Sequence, residues 1–318
     1  MADDDLSLII ECASLAPSVH NTQPWTLRPD GGGIDVLADT TRQLDFLDPT
    51  ARQLRISCGA AIEFGYLAAR AAGRRATVRL RPDAGRPDLL ARVDLDGDEP
   101  ATELETALAA AIPRRYTDRG PYSDEPLSPQ LLIDTQTRGA ELGVWVRILD
   151  KPSERTVVAM ILAEAEAAEA ADPRYAEELA RWTSEQPQEE GVSRAAAAPS
   201  WPADRVSDVP LRDFTGHAGH PHPGPDEPPR VERDTLVLLG TALDDDASWL
   251  LAGRALGWML LRAAADGASA QPLGPAIDLP DSRAALRREL GLVGHPQFLL
   301  RVGYGSGQPG TRRKHVEA

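Results

Sequence analysis

Apolar residues recur along this chain with two periods, and the switches between them mark its elements. Leu8, Ile9, Ile10, Cys12 and Leu15 keep a helical spacing that Pro17 ends. Residues 25–27 and 34–38 read as strands on either side of Pro29-Asp30-Gly31-Gly32-Gly33, a strong hairpin signal. Asp48-Pro49-Thr50 opens a long helix over about 51–72, with an apolar stripe through Leu54, Cys58, Ala61, Ile62, Gly65, Ala68 and Ala69. Small residues on that stripe permit close approach by another helix, and Gly73 stops the element. Residues 77–80 and 89–95 alternate as strands, and 102–111 reads as a short helix ended by Pro113.

The same vocabulary returns further on. Helices are predicted over 127–138, 153–171, 248–265 and 282–290, with 174–182 continuing the second of these or starting another. Strands are predicted over 144–149, 235–240 and 298–304. Asp244-Asp245-Asp246 places negative charge at the start of helix 248–265, where it complements the helix dipole, and Gly267 ends that helix. Between 183 and 230 the pattern fails: nine prolines stand there, with Gly216, Gly219 and Gly224 among them. A loop of that length in a compact protein is a lid, a binding element or disorder, and Trp201, Val209, Leu211 and Phe214 give it something to dock with. His217, His220 and His222 cluster in it, but no neighbouring cysteine or tight carboxylate spacing completes a metal set, so no metal is expected.

Two stretches echo one another. Cys58-Gly59-Ala60-Ala61 begins a helical section closed by Gly73, and Ala252-Gly253-Arg254-Ala255 begins one closed by Gly267, with a Gly-to-Gly spacing of 14 in both. Residues 87–95 match 296–304 in pattern. The shared order of helix, glycine stop and terminal strand points to a tandem duplication, with an N-terminal half over 1–112 and a C-terminal half over 113–318 that carries the Pro-rich lid or insertion. Ordinary core packing is the other reading of the small-residue helices.

Composition narrows the function. The 318 residues suffice for one large or two modest domains. A formal net charge of −15 repels nucleic acid and anionic membrane, so neither is an expected partner. Two cysteines, Cys12 and Cys58, make neither a disulfide scaffold nor a metal cluster. No leader pattern opens the chain and no apolar run approaches about 18 residues, which predicts a cytoplasmic protein. Gly-x-Ser-x-Gly and His-Glu-x-x-His are absent, and Gly-x-Gly-x-x-Gly occurs only at 305–310, with no helical pattern after it, so no covalent nucleophile and no dinucleotide-binding Rossmann unit is signalled.

Two polar stretches stand out. Pro17-Ser18-Val19-His20-Asn21-Thr22-Gln23-Pro24 holds a Ser, an Asn and a Gln between two prolines at a helix-to-strand junction, with Pro24 restricting Gln23 to extended backbone. Polar side chains on a stiff bend serve a ligand well; they equally make a capped turn that satisfies its own backbone. Arg114-Arg115-Tyr116-Thr117-Asp118-Arg119 is the densest positive patch, suited to gripping a phosphate through forked, charge-assisted hydrogen bonds. A solvated basic turn is the bland alternative.

Ala16-Pro17-Ser18-x-x-Asn21-x-Gln23-Pro24-Trp25 resembles the flavin-contacting segment of the nitroreductase family, and the longer context is similar to its Acg-like branch in actinobacteria. That resemblance implies an α+β fold of two fused half-repeats forming a pseudo-dimer, each with a mainly antiparallel sheet flanked by helices. It also implies bound FMN. Arg115, Thr117 and Arg119 match the family's phosphate-binding start by position, and Arg114 is an extra candidate. Arg312 and Arg313 compete for the closing phosphate contact. Gln271, in Ser269-Ala270-Gln271-Pro272, stands where the family brings backbone near the flavin ring, and His20 is a further candidate near the ring. The complementary set of residues is missing, which predicts one flavin per chain and a functional monomer with internal pseudo-two-fold symmetry.

The implied activity is NAD(P)H-dependent reduction of a nitroaromatic, quinone or related small acceptor. The flavin carries the chemistry, so no catalytic side chain is assigned. The alternative is an FMN storage or sequestration protein whose lid covers the ring. A ligand-binding α/β domain without flavin is a third reading.

Overall fold

Two four-stranded antiparallel sheets carry the fold, and two long helices cross between them. The computed structural model describes residues 3–186, 188–193, 196, 205–210, 230–232 and 234–305. The first half runs α1 (Asp3–Ser14), β1 (Trp25–Asp30), β2 (Gly33–Ala38), α2 (Arg52–Ala71), β3 (Arg74–Leu80), β4 (Leu89–Asp98) and α3 (Glu103–Ala111). Its sheet has the order β1-β2-β4-β3. The β1–β2 hairpin turns through Gly31 and Gly32, both at positive φ, which a side chain disfavours. The α3 helix starts at a capping box, with Thr102 and Glu105 each satisfying the other's backbone N–H.

The second half runs α4 (Pro129–Glu141), β5 (Val144–Leu149), α5 (Pro152–Ala171) and α6 (Pro173–Arg181). Two short parallel pairs follow, β6 (Thr183–Ser184) with β7 (Val192–Ser193) and β8 (Arg205–Ser207) with β9 (Arg230–Glu232). The chain then continues through β10 (Thr235–Thr241), α7 (Asp246–Ala265), β11 (Ser269–Pro272), α8 (Pro275–Asp278), α9 (Pro280–Glu289) and β12 (His295–Gly303). Its sheet has the order β11-β12-β10-β5.

The duplication is visible in this topology. β5, β10, β11 and β12 occupy the places of β1, β2, β3 and β4, and α4 and α7 those of α1 and α2. α2 and α7 are both 20 residues long with a constant offset of 194 positions, Arg52 to Asp246 and Ala71 to Ala265. Gly73 and Gly267 keep that offset and end the two helices at φ +75° and +78°. Where the first half has a tight hairpin, the second carries everything from 150 to 234. The insertion is therefore larger than the Pro-rich stretch alone, because α5 and α6 belong to it. β11 and α8 are further elements that the apolar pattern does not mark.

The helices α2 and α7 touch backbone to backbone. A Cβ on Gly59 would fall on the carbonyl oxygen of Leu250 and lie 2.9 Å from Gly253 Cα; a Cβ on Gly253 would fall on the carbonyl oxygen of Ile56 and lie 2.8 Å from Gly59 Cα. Leu250, Trp258 and Leu261 of α7 join the core of the first half, while Ile56 of α2 joins that of the second, so each half completes the other's interior.

Candidate functional site

The bend after α1 is a strained, self-bonded turn. His20, Asn21 and Gln23 have φ of +45°, +56° and +50°, in the left-handed region that non-glycine residues rarely adopt. Gln23 is thus not extended: the backbone N–H of Trp25 donates to Gln23 O at 2.9 Å, a turn centred on Pro24 that overrides the usual effect of a following proline. Ser18 Oγ accepts from the Gln23 backbone N–H at 2.9 Å, and Ser57 Oγ of α2 accepts from that of Val19 at 3.2 Å. The capped-turn reading therefore describes Ser18 correctly.

The two amides of the bend hold the start of the Pro-rich insertion. Asn21 Nδ2 donates to Gly191 O at 3.0 Å and Glu189 O at 3.3 Å, and Gln23 Nε2 donates to Glu189 O at 2.7 Å. Arg42 adds an ion pair to Glu190 at 2.9 Å.

The arginine stretch alternates. Arg114 is exposed and its Nε turns back to Ala110 O at 3.2 Å, so it leaves the cluster that the sequence suggests. Thr117 bridges to Ala270 beside β11, and Arg119 Nη1 donates to Ala196 O at 2.9 Å. Asp118, between them, is fully buried and accepts from the Gly120 backbone N–H. Arg115 has a buried Nε with no hydrogen-bond partner and no ion pair among the described residues. Burial pushes its guanidinium down to about 10, with no carboxylate acting against that.

A cleft of about 960 Å³, its open mouth included, collects residues from both halves. Pro17, Ser18, His20 and Asn21 line it from the bend, and Thr117 and Arg119 from the arginine stretch. Apolar walls come from Ile56 of α2, Leu256 and Leu260 of α7 and Phe298 of β12, and Val192 of the insertion closes against it. Arg115 stands outside that lining. Gln23 does too, its amide being spent on Glu189. Gln271 corrects a sequence expectation: strand alternation gives Ala270 and Pro272 to the cleft and turns Gln271 inward, where its Oε1 accepts from Arg301 Nε at 2.6 Å. Arg312, Arg313 and the three clustered histidines lie outside the described residues. The sequence reading missed Gln53, Ser57 and Asp278, which also line the cleft. Gln53 and Ser57 did leave a signal, as polar residues four apart on a helix face otherwise apolar and small.

The place related to this cleft by the 194-residue offset is filled. Ile62 and Tyr66 correspond to Leu256 and Leu260. Ile62 is fully buried, and Tyr66 lies under the Arg138 and Arg254 guanidiniums, 5.9 and 5.7 Å from its ring centroid. Both arginines pair with Glu63, whose side chain is wholly inaccessible, at 2.6 and 2.8 Å.

Fold and site together define an α+β protein of two fused like halves that share one asymmetric cleft. No family model matches the chain. It is 33% identical over 301 residues to the Mycobacterium tuberculosis protein named "Putative NAD(P)H nitroreductase Rv3131", covering 93% of this chain and 84% of the relative. It is 29% identical over 325 residues to "Putative NAD(P)H nitroreductase acg" of the same organism, covering 99% of this chain and 94% of that one. Among solved structures, the FMN-dependent nitroreductase NfnB of Mycobacterium smegmatis in complex with NADPH is 15% identical with a TM-score of 0.41, over 68% of this chain and 96% of that one. The chain belongs to the NAD(P)H nitroreductase family of these mycobacterial relatives. No helix among its described residues is long and apolar enough to cross a membrane.

Proposed function

We propose that the chain binds one FMN in the shared cleft and acts as an NAD(P)H-dependent oxidoreductase toward a small organic acceptor such as a nitroaromatic or quinone. The observation that carries this reading is Arg115. A half-buried guanidinium whose Nε is buried without a hydrogen-bond partner, and which meets no carboxylate among the described residues, is an incomplete ion pair, and a phosphate would complete it. Arg119 and Thr117, at two-residue spacing on the same stretch, extend that grip into the cleft. Bound FMN supplies the two-electron chemistry. Ser18 and Asn21 face its ring or ribityl chain, the Ala270–Pro272 backbone backs it, and Ile56, Leu256 and Leu260 exclude water from one wall. The relatives' names support the nicotinamide donor. The halves are taken to divide at residues 112 and 113.

One observation favours a second reading, flavin storage. Residues 189–193 are tied down over the bend by Asn21 and Gln23, and Val192 lines the cleft, so this segment is placed to cover a ligand.

Purified protein is expected to be yellow, or to take up one equivalent of FMN, and to bleach anaerobically with NADH or NADPH. Bleaching with dithionite alone selects storage. A colourless protein that takes up no FMN sinks both and leaves a flavin-free binding domain.

A further inference from the structure

A second opening, of about 1450 Å³ with its mouth included, is lined from the start of α2, the start of α7, and α9. Its outer wall is an elaboration of the second half alone. Residues 81–88 join β3 to β4, whereas 273–294 join β11 to β12 and carry α8 and α9.

The carboxylates of this opening are spent within the protein. Asp244 accepts from Arg283 Nη1 and Nη2 at 2.8 and 2.7 Å, from Trp249 Nε1 at 2.7 Å and from Gln297 Nε2 at 3.0 Å. Asp48 accepts from the backbone N–H groups of Gln53 and Leu54 at 2.9 and 2.8 Å. Asp278 accepts from the Gln53 amide at 2.6 Å and stands 3.8 Å from the Arg52 guanidinium. Two cations of the lining are not matched in this way. Arg287 is exposed and has no ion pair among the described residues. Arg288 pairs with its chain neighbour Glu289 at 2.9 Å, where the two side chains are 70% and 49% exposed. Such a pair is worth little, so an incoming anion can displace it. In a chain of net charge −15 the opening is thus a local site of the other sign.

The remaining lining is largely apolar, with Leu47, Pro49, Trp249, Pro280, Ala284 and Leu292 in it. A ligand matched to the opening has an apolar body that covers this surface and an anionic head that meets the two guanidiniums. Carboxylate and phosphate both suit a guanidinium fork.

We propose that this opening is a second ligand site, which takes a small organic anion with a carboxylate or phosphate head. Arg287 and Arg288 hold the head, and Trp249 and Leu292 pack on the body. The site is distinct from the cleft and its arginine stretch, and stands whether or not the cleft binds flavin.

The test is calorimetric titration of FMN-equilibrated protein with 1-naphthoate, 1-naphthyl phosphate and the neutral 1-naphthamide. One equivalent of anion is expected to bind at least tenfold more tightly than the amide, and the tighter of the two anions identifies the head. Arg287→Gln with Arg288→Gln is expected to bring both anions to the affinity of the amide. Both residues are exposed, so the fold should tolerate the change. Ala284→Trp, at another exposed position, is expected to fill the opening and abolish binding of all three probes. No binding of either anion, or affinities equal to that of the amide, overturns the assignment. So does a preference that survives the double arginine variant, or binding unaffected by Ala284→Trp. Release of FMN mole for mole with bound probe, read by flavin fluorescence, would put the probe in the cleft and overturn it too.

Discussion

Gly59 and Gly253 face one another where α2 crosses α7, and each is the other's counterpart under the 194-residue offset. The reciprocity extends to the atoms they exclude: Ile56 and Leu250, whose carbonyl oxygens a Cβ would strike, are also counterparts. Gly→Ala within a helix ordinarily stabilises by about 1 kcal/mol. Here the methyl meets backbone, which cannot rotate aside, and overpacking costs about 1–3 kcal/mol or more. Gly59→Ala and Gly253→Ala are each expected to lower stability in urea by roughly 2 kcal/mol net, and the double variant by less than the two effects added, since both act on one contact. Unchanged midpoints would contradict the crossing.

Arg115 and Arg114 are adjacent in sequence but predicted to behave oppositely. Arg115→Ala removes a charge with no ion-pair partner among the described residues, so stability is expected to stay within about 0.5 kcal/mol. Hydrogen bonds to a charged phosphate are worth about 1.5–3 kcal/mol, so FMN affinity should fall roughly ten- to a hundredfold. Arg114→Ala, whose Nε serves Ala110 O, should leave affinity unchanged. Flavin fluorescence titration of both variants separates them.

Asn21 and Gln23 tether the insertion through amide–carbonyl bonds, that of Asn21 to Gly191 buried, whereas the Arg42–Glu190 ion pair is part-exposed and worth little. Asn21→Ala with Gln23→Ala should therefore speed limited proteolysis near 185–191 severalfold, and Arg42→Ala should barely alter it. Equal cleavage rates in all three proteins would mean that the amides do not hold the segment.

Burial pushes the Asp48 carboxyl up to about 6, against the Gln53 and Leu54 backbone N–H groups that favour its charge. Such a group stays protonated in the folded chain where the unfolded chain has released the proton. Its stabilising contribution is full below about pH 4 and lost as pH rises through about 6. Relative to Asp48→Asn, the natural chain should be roughly 2 kcal/mol more stable at about pH 4.5 than at about pH 7, read from urea midpoints at each pH. No difference between the two pH values would place the Asp48 carboxyl near its ordinary range.

Periodicity carried most of the fold because apolar spacing and glycine stops are local signals. Gly59, Gly73, Gly253 and Gly267 even disclosed the duplication, since a close helix crossing tolerates little else at Gly59 and Gly253, and Gly73 and Gly267 end the helices at positive φ. β11 escaped because four residues ending in proline are too short for alternation to register. The cleft was half legible: Ser18, Asn21, Thr117 and Arg119 announced themselves by residue type. Gln271 and Gln23 shared that type but point elsewhere, because strand parity and one left-handed backbone angle decide direction, and neither follows from composition. Gln53 and Asp278 stand 225 positions apart and meet only through tertiary packing.

The buried Glu63 with its two arginines marks a freedom that fusion confers. In an assembly of identical subunits, any residue that helps one pocket must also sit in the other. Once joined, the copies can drift independently: Glu63 has no equivalent at its counterpart, Gly257, where an acidic side chain would press on Ala60 at the axis. One of two ancestral openings could thus be plugged with salt-bridged protein while its twin stayed accessible, giving the chain a front and a back that a symmetric pair never has.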